Sequence, residues 1–128
     1  MPGKSKQRKQ ILIIDDEEMI LDILKRRFER MGFDVKTAED GAAGVKALGN
    51  HIFDLIICDL RMPHCENSTD ILQLSRVHMP ACKFVYMSGQ LLSEQHIADI
   101  LNNGADMFLK KPFSSLAKTT QQLADLIR

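Results

Sequence analysis

The run Ile11-Leu12-Ile13-Ile14-Asp15-Asp16 changes character in one step, from four branched apolar side chains to two carboxylates. Four apolar residues without polar alternation suit a short strand covered on both faces. The pattern returns twice. Leu55–Cys58 is apolar and ends at Asp59, and Phe84–Met87 is apolar and ends at Ser88. A briefer strand, Met107–Leu109, ends at Lys110-Lys111-Pro112.

Helical patterns fill the gaps. After Asp16, apolar residues fall at Ile20, Leu24, Phe28 and Met31, steps of four and three that share one helix face. Gly32 follows as a left-handed stop. Phe33–Ala38 alternates apolar with polar and reads as a strand with one wet face, placed at a sheet edge. Asp40 can cap a second helix ending near Gly49-Asn50. A third helix lies around Ile71–Val77. Ser93 can cap a fourth that carries Ile97, Ile100 and Leu101 and stops at Asn103-Gly104. The last helix aligns Leu116, Thr120, Leu123 and Ile127.

Strand and helix alternating five times specify an α/β domain with a parallel sheet and helices on both faces. An edge position for the second strand fits the five-stranded, doubly wound, flavodoxin-like order 2-1-3-4-5. In open parallel sheets of this kind, ligand sites lie beyond the carboxyl ends of the strands, where strand order reverses. Asp15, Asp16, Asp59, Ser88 and Lys111 all stand at such ends. Clustered carboxylates repel one another and call for protons or a cation. Oxygen donors suit a hard ion such as Mg2+, which shares its shell with phosphate oxygens. An ionised carboxylate can itself be a phosphoryl acceptor, with a lysine neutralising charge during transfer. Taken singly, each residue has a plain structural explanation: acids favoured at a helix N-terminus, or Asp and Ser starting turns. Their joint occurrence at successive strand ends is the specific signal.

Composition sets the outer bounds. The chain has 128 residues, with 45% hydrophobic and 27% charged, which suits one soluble domain. Lys plus Arg equals Asp plus Glu at 17 each. Lys4, Lys6, Arg8 and Lys9 fall in residues 1–9, read as a basic flexible tail before a domain at 10–128. Four charges without an aromatic make a weak nucleic-acid footprint, so no direct nucleic-acid binding is expected. The three cysteines, Cys58, Cys65 and Cys82, form no disulfide framework, and no apolar run reaches membrane-spanning length. A cytoplasmic protein is expected, away from membranes.

The motifs Ile13-Ile14-Asp15-Asp16-Glu17, Asp59-Leu60-Arg61-Met62-Pro63, Met87-Ser88-Gly89, Gly104-Ala105-Asp106 and Lys110-Lys111-Pro112-Phe113 together resemble the receiver domain of two-component response regulators, from about Gln10 to Arg128. The resemblance implies Asp59 as phosphoacceptor. It implies Mg2+ held by Asp15, Asp16, Asp59 and the backbone carbonyl of Arg61. Lys111 would pair with the phosphoryl group, Ser88 would bond one of its oxygens, and Phe108 would be the switch aromatic. It also implies a Lys111-Pro112 bond that is often cis, and an output surface on helix four, strand five and helix five. The donor would be a histidine kinase or a histidine phosphotransfer protein, and the recipient a downstream protein or a fused effector domain. Such a domain is a signalling phosphoacceptor, not a turnover enzyme.

Glu66-Asn67 stands where the family often has Asp-Gly, and Ser88 replaces the commoner Thr. Gly44 within helix two is unfavourable by about 1 kcal/mol against Ala. The competing readings are a phosphate-independent receiver-like interaction module, an aspartyl phosphatase and a flavin carrier. A phosphatase would place Asp-x-Asp after its first strand, whereas Asp15 and Asp16 are adjacent. A flavin carrier would need a Gly- or Thr-rich phosphate loop there. His64, Cys65 and Glu66 read as a polar loop.

Overall fold

The computed structural model describes residues 8–60 and 69–128. The elements run β1 (Gln10–Ile14), α1 (Glu18–Arg30), β2 (Asp34–Ala38), α2 (Gly41–Asn50) and β3 (Leu55–Asp59). They continue with α3 (Thr69–His78), β4 (Lys83–Ser88), α4 (Glu94–Asn102), β5 (Met107–Lys110) and α5 (Leu116–Asp125). The sheet has order β2-β1-β3-β4-β5, and every pairing is parallel. The order expected from the sequence is the one observed.

Strand alternation divides the core into two layers. Leu12, Ile14, Ile56, Cys58, Phe84 and Tyr86 point to one side and pack with Leu48, Ile71, Leu72 and Ile100 from α2, α3 and α4. Ile11, Ile13, Leu55, Ile57, Val85 and Met87 point to the other and pack with Leu24, Phe28 and Leu123 from α1 and α5. The apolar residues of β1, β3 and β4 are therefore covered from both sides, as their uninterrupted runs require. At the edge, β2 exposes Asp34, Lys36 and Thr37 and buries only Val35 and Ala38.

Three details refine the sequence reading. Phe33 belongs to the end of α1 and not to β2. Its N–H bonds Phe28 O at 3.1 Å, and the Gly32 N–H bonds Glu29 O at 3.1 Å. With Gly32 at φ 98°, this is a Schellman closure. The Phe33 ring completes it by packing edge-on against Phe28, with centroids 5.9 Å apart. Of the apolar residues carried by α4, Leu101 is 42% exposed, and Ile100 supplies the burial of that helix. Ile127 is buried but lies past the last residue of α5.

Gly44 has a packing reason. A Cβ there would lie 2.7 Å from Ile14 Cδ1, so the missing side chain lets α2 sit close on the end of β1. The helix starts as expected, with Asp40 accepting the Ala43 N–H at 2.8 Å.

Candidate functional site

The carboxyl ends of β1, β3, β4 and β5 carry the reactive groups, and backbone bonds lash these ends together. Asp15 N–H donates to Ala38 O at 3.1 Å, Leu60 N–H to Met87 O at 2.8 Å, and Lys111 N–H to Ser88 O at 2.8 Å. The parallel ladder thus extends one rung past the strands, which fixes where the side chains beyond them point.

The Lys111 ammonium sits among three carboxylates. It donates to Glu17 Oε1 at 2.6 Å, Asp15 Oδ2 at 2.9 Å and Asp59 Oδ2 at 3.4 Å. Lys111, Asp15 and Asp59 are nearly enclosed, with side-chain exposures of 7%, 0% and 7%, while Glu17 is 58% exposed. One oxygen from each of Asp15, Glu17 and Asp59 falls within a mutual 4.8 Å. Burial would by itself push the Lys111 ammonium towards neutrality. Its hydrogen bonds with Glu17 and Asp15 and the charges of Asp59 and Asp15 outweigh that, and hold it above the usual lysine range. Burial raises the Asp15 carboxyl above its ordinary value, against the Glu17 N–H and Lys111, which lower it. One cation facing three acids leaves negative charge in excess. The all-oxygen donor set fits a hard divalent cation, and such an ion would relieve that excess.

The other expected residues are placed as follows. Ser88 is buried at the end of β4, its Oγ accepting the Gln90 N–H at 3.1 Å. Phe108 is half-buried on β5 and packs against the layer containing Tyr86. Asp16 is exposed and lies outside the mutual cluster, though its neighbouring side chain also raises the Asp15 carboxyl. It also lines an open groove of about 470 Å³ with Glu18, Asp22 and Lys25 of α1. Lys110 is exposed while Lys111 points into the cluster, as strand alternation requires. The Lys111-Pro112 peptide is cis. Arg61, whose carbonyl was expected at the metal, lies outside the described residues, as do His64, Cys65 and Glu66.

Glu17 is the residue that sequence reasoning missed, because Glu17-Glu18 reads as ordinary acid at a helix N-terminus. Glu17 does occupy the N-cap of α1, but its side chain makes no capping bond. Asp15 Oδ1 accepts the Glu17 N–H at 2.9 Å, an Asx turn that folds the chain back over the strand end. The Glu17 carboxylate is thereby carried to Lys111. Asp followed two residues later by Glu, directly after a buried strand, is the signal that could have found it.

Comparison with known proteins agrees with this geometry. Residues 11–123 match the family described as response regulator receiver domain. The response regulator SaeR of Staphylococcus aureus is 35% identical over 104 residues, covering 81% of this chain and 44% of SaeR. The chain therefore spans less than half the length of that curated relative. A response regulator receiver domain from Methanospirillum hungatei superposes with a TM-score of 0.78 at 29% identity, covering 94% of this chain and 97% of that one. The Francisella response regulator 1452 receiver domain gives 0.81 at 26%, with coverages of 94% and 97%. The five-strand order, the acidic strand ends and the match over nearly all of the sequence lead to one identification: the chain belongs to the response regulator receiver domain family of two-component systems.

Proposed function

We propose that Asp59 accepts a phosphoryl group from a phosphohistidine on a histidine kinase or histidine phosphotransfer protein, and that the domain passes this event on as a change of surface. The observation that carries the reading is the enclosed Asp59 carboxylate beside the Lys111 ammonium and within 4.8 Å of the Asp15 and Glu17 oxygens. An Asp59 oxygen attacks phosphorus as the P–N bond breaks. It needs no base, since a carboxylate of ordinary acidity is ionised near neutral pH. Lys111 neutralises a phosphoryl oxygen, and the Ser88 hydroxyl, at the end of the adjoining strand, donates to another.

Mg2+ is the proposed cation, held by Asp15, Asp16, Asp59 and the Arg61 carbonyl, with Glu17 at its margin. Bound there, it supplies charge neutralisation for the transferring group. Ser88 moving towards the phosphoryl group opens room beside β4 for Phe108, and α4, β5 and α5 form the output face. Coupling of about 1–3 kcal/mol would bias two states of that face. The domain then acts as a signalling phosphoacceptor without turnover chemistry of its own on other substrates. Its recipient is a downstream protein or an effector domain fused to it. Among the described residues no helix is long and apolar enough to cross a membrane, and a cytoplasmic setting is part of the proposal.

The test is intact-mass spectrometry after incubation with acetyl phosphate and Mg2+. One added phosphoryl group is expected, lost in Asp59→Ala and lost when the metal is chelated. A wild-type protein that stays unmodified, and whose spectrum is unmoved by beryllofluoride with Mg2+, would overturn the reading and favour the phosphate-independent module.

A further inference from the structure

The Lys111 ammonium rests closer to Glu17 than to Asp59. Its shortest contact is to Glu17 at 2.6 Å, and its longest of the three is to Asp59 at 3.4 Å. All three carboxylates stand close enough to share a cation, but only Asp15 and Asp59 are enclosed. A cation arriving there competes with the ammonium for the same oxygens. Glu17 differs from both. It is largely exposed, its backbone is pinned by Asp15 Oδ1, and its side chain makes no capping bond to its own helix. Its carboxylate reaches instead to a lysine 94 residues away.

We infer that Glu17 is a positioning residue that parks the Lys111 ammonium at the mouth of the site, so that a cation can take Asp15 and Asp59 without leaving the lysine unpaired, and that phosphoryl transfer draws Lys111 away from it. This rests on the phosphoacceptor reading and names a control within it. Two opposed consequences follow. Without Glu17, Lys111 falls wholly on Asp15 and Asp59 and resists the cation. Once the cation is bound, the same lysine is free to move to the phosphoryl oxygens with no partner holding it back. Glu17 therefore favours the metal and slows the transfer.

The experiment compares wild type, Glu17→Gln and Glu17→Asp in two readouts. One is Mg2+ binding alone, by calorimetry or NMR titration without phosphodonor. The other is the rate of acetyl phosphate uptake against Mg2+ concentration. Glu17→Gln should raise the half-saturating Mg2+ about three-fold or more while raising the saturated rate by a similar factor, an effect sized for a half-exposed pair and shrinking with added salt. Glu17→Asp keeps the charge but is one methylene short of the 2.6 Å contact, so it should behave as Gln does.

A variant that loses Mg2+ affinity and rate together, or in which Glu17→Asp behaves as wild type, overturns the parking role in favour of a simple charge or metal-ligand role. Unchanged binding and unchanged rate also overturn it. If the wild type takes up no phosphoryl group, the proposed function fails separately, and the Mg2+ isotherms of the three proteins decide the role of Glu17.

Discussion

The two ends of the sheet use a single buried-facing cation in opposite ways. At the carboxyl ends Lys111 faces three carboxylates. At the amino ends Arg76, in the last turn of α3, meets one carboxylate and two carbonyls. Its guanidinium bonds Cys82 O and Gly104 O at 2.5 Å and Asp106 Oδ2 at 3.1 Å. Asp106 is itself complete, because its Oδ2 also accepts the Phe84 N–H at 2.8 Å while its own N–H returns a bond to Phe84 O at 2.7 Å. The amino end is balanced and saturated, and joins α3, β4 and the turn into β5. The carboxyl end carries excess negative charge, and burial works against it. A polar group that only supports structure can be fully satisfied, whereas one that must bind and release a ligand has to keep something in reserve.

The largest effect is expected on removing Arg76. Arg76→Ala leaves Asp106 and two carbonyls short of a partner, and should cost about 3 kcal/mol in urea unfolding while leaving phosphoryl uptake by the folded fraction unchanged. An uptake rate falling in step with stability would mean that the two ends are coupled. Gly44→Ala probes packing at the carboxyl end without touching its charges. The added methyl would press on Ile14, and a loss of about 2 kcal/mol by the same measurement is expected, helix propensity notwithstanding.

Asp15→Asn should act in the other direction. Burial raises the Asp15 carboxyl above its unfolded value, so the folded protein prefers it protonated. That preference contributes fully below the ordinary carboxyl value of 3.8 and is lost as pH rises through the raised one. In metal-free buffer near neutral pH, Asp15→Asn should therefore be more stable than wild type, and should bind Mg2+ poorly. Thermal melts against pH would show the two proteins converging in acid and separating as pH rises. Convergence at neutral pH instead would mean that Lys111 fully compensates the burial. The smallest effect belongs to Cys82 at the amino end. Burial pushes its thiol up to about 12, so iodoacetamide at pH 8 should leave it unmodified in the folded protein and label it after denaturation, as mass spectrometry of the digested protein would read.

The strand order was legible because each buried strand is an unbroken apolar run that stops at a polar residue, and because β2 is mixed. The positions of Asp59, Ser88 and Lys111 followed from those stops. What the sequence left hidden depends on contacts between distant residues. Gly104-Ala105-Asp106 is recognisable as a landmark, yet its part in the clamp requires Arg76, 30 residues before Asp106. Phe33 read as strand because a Schellman closure places an apolar residue just past Gly32, where a strand would also put one. Gly44 looked costly until its distance from Ile14 was known. Glu17 was masked by the general preference for acids at helix N-termini, which explains its presence without predicting where its side chain goes.

The bonds that join Leu60 to Met87 and Lys111 to Ser88 have a consequence for how such a domain can be altered. Asp59, Ser88 and the backbone of Lys111 take their coordinates from this frame, while the Lys111 ammonium also answers to Glu17 in the connection after β1. Changes of length in the other connections should leave Asp59, Ser88 and the Lys111 backbone in register. A designer wishing to rewire this protein would edit the crossings first and leave the two bonded rungs alone.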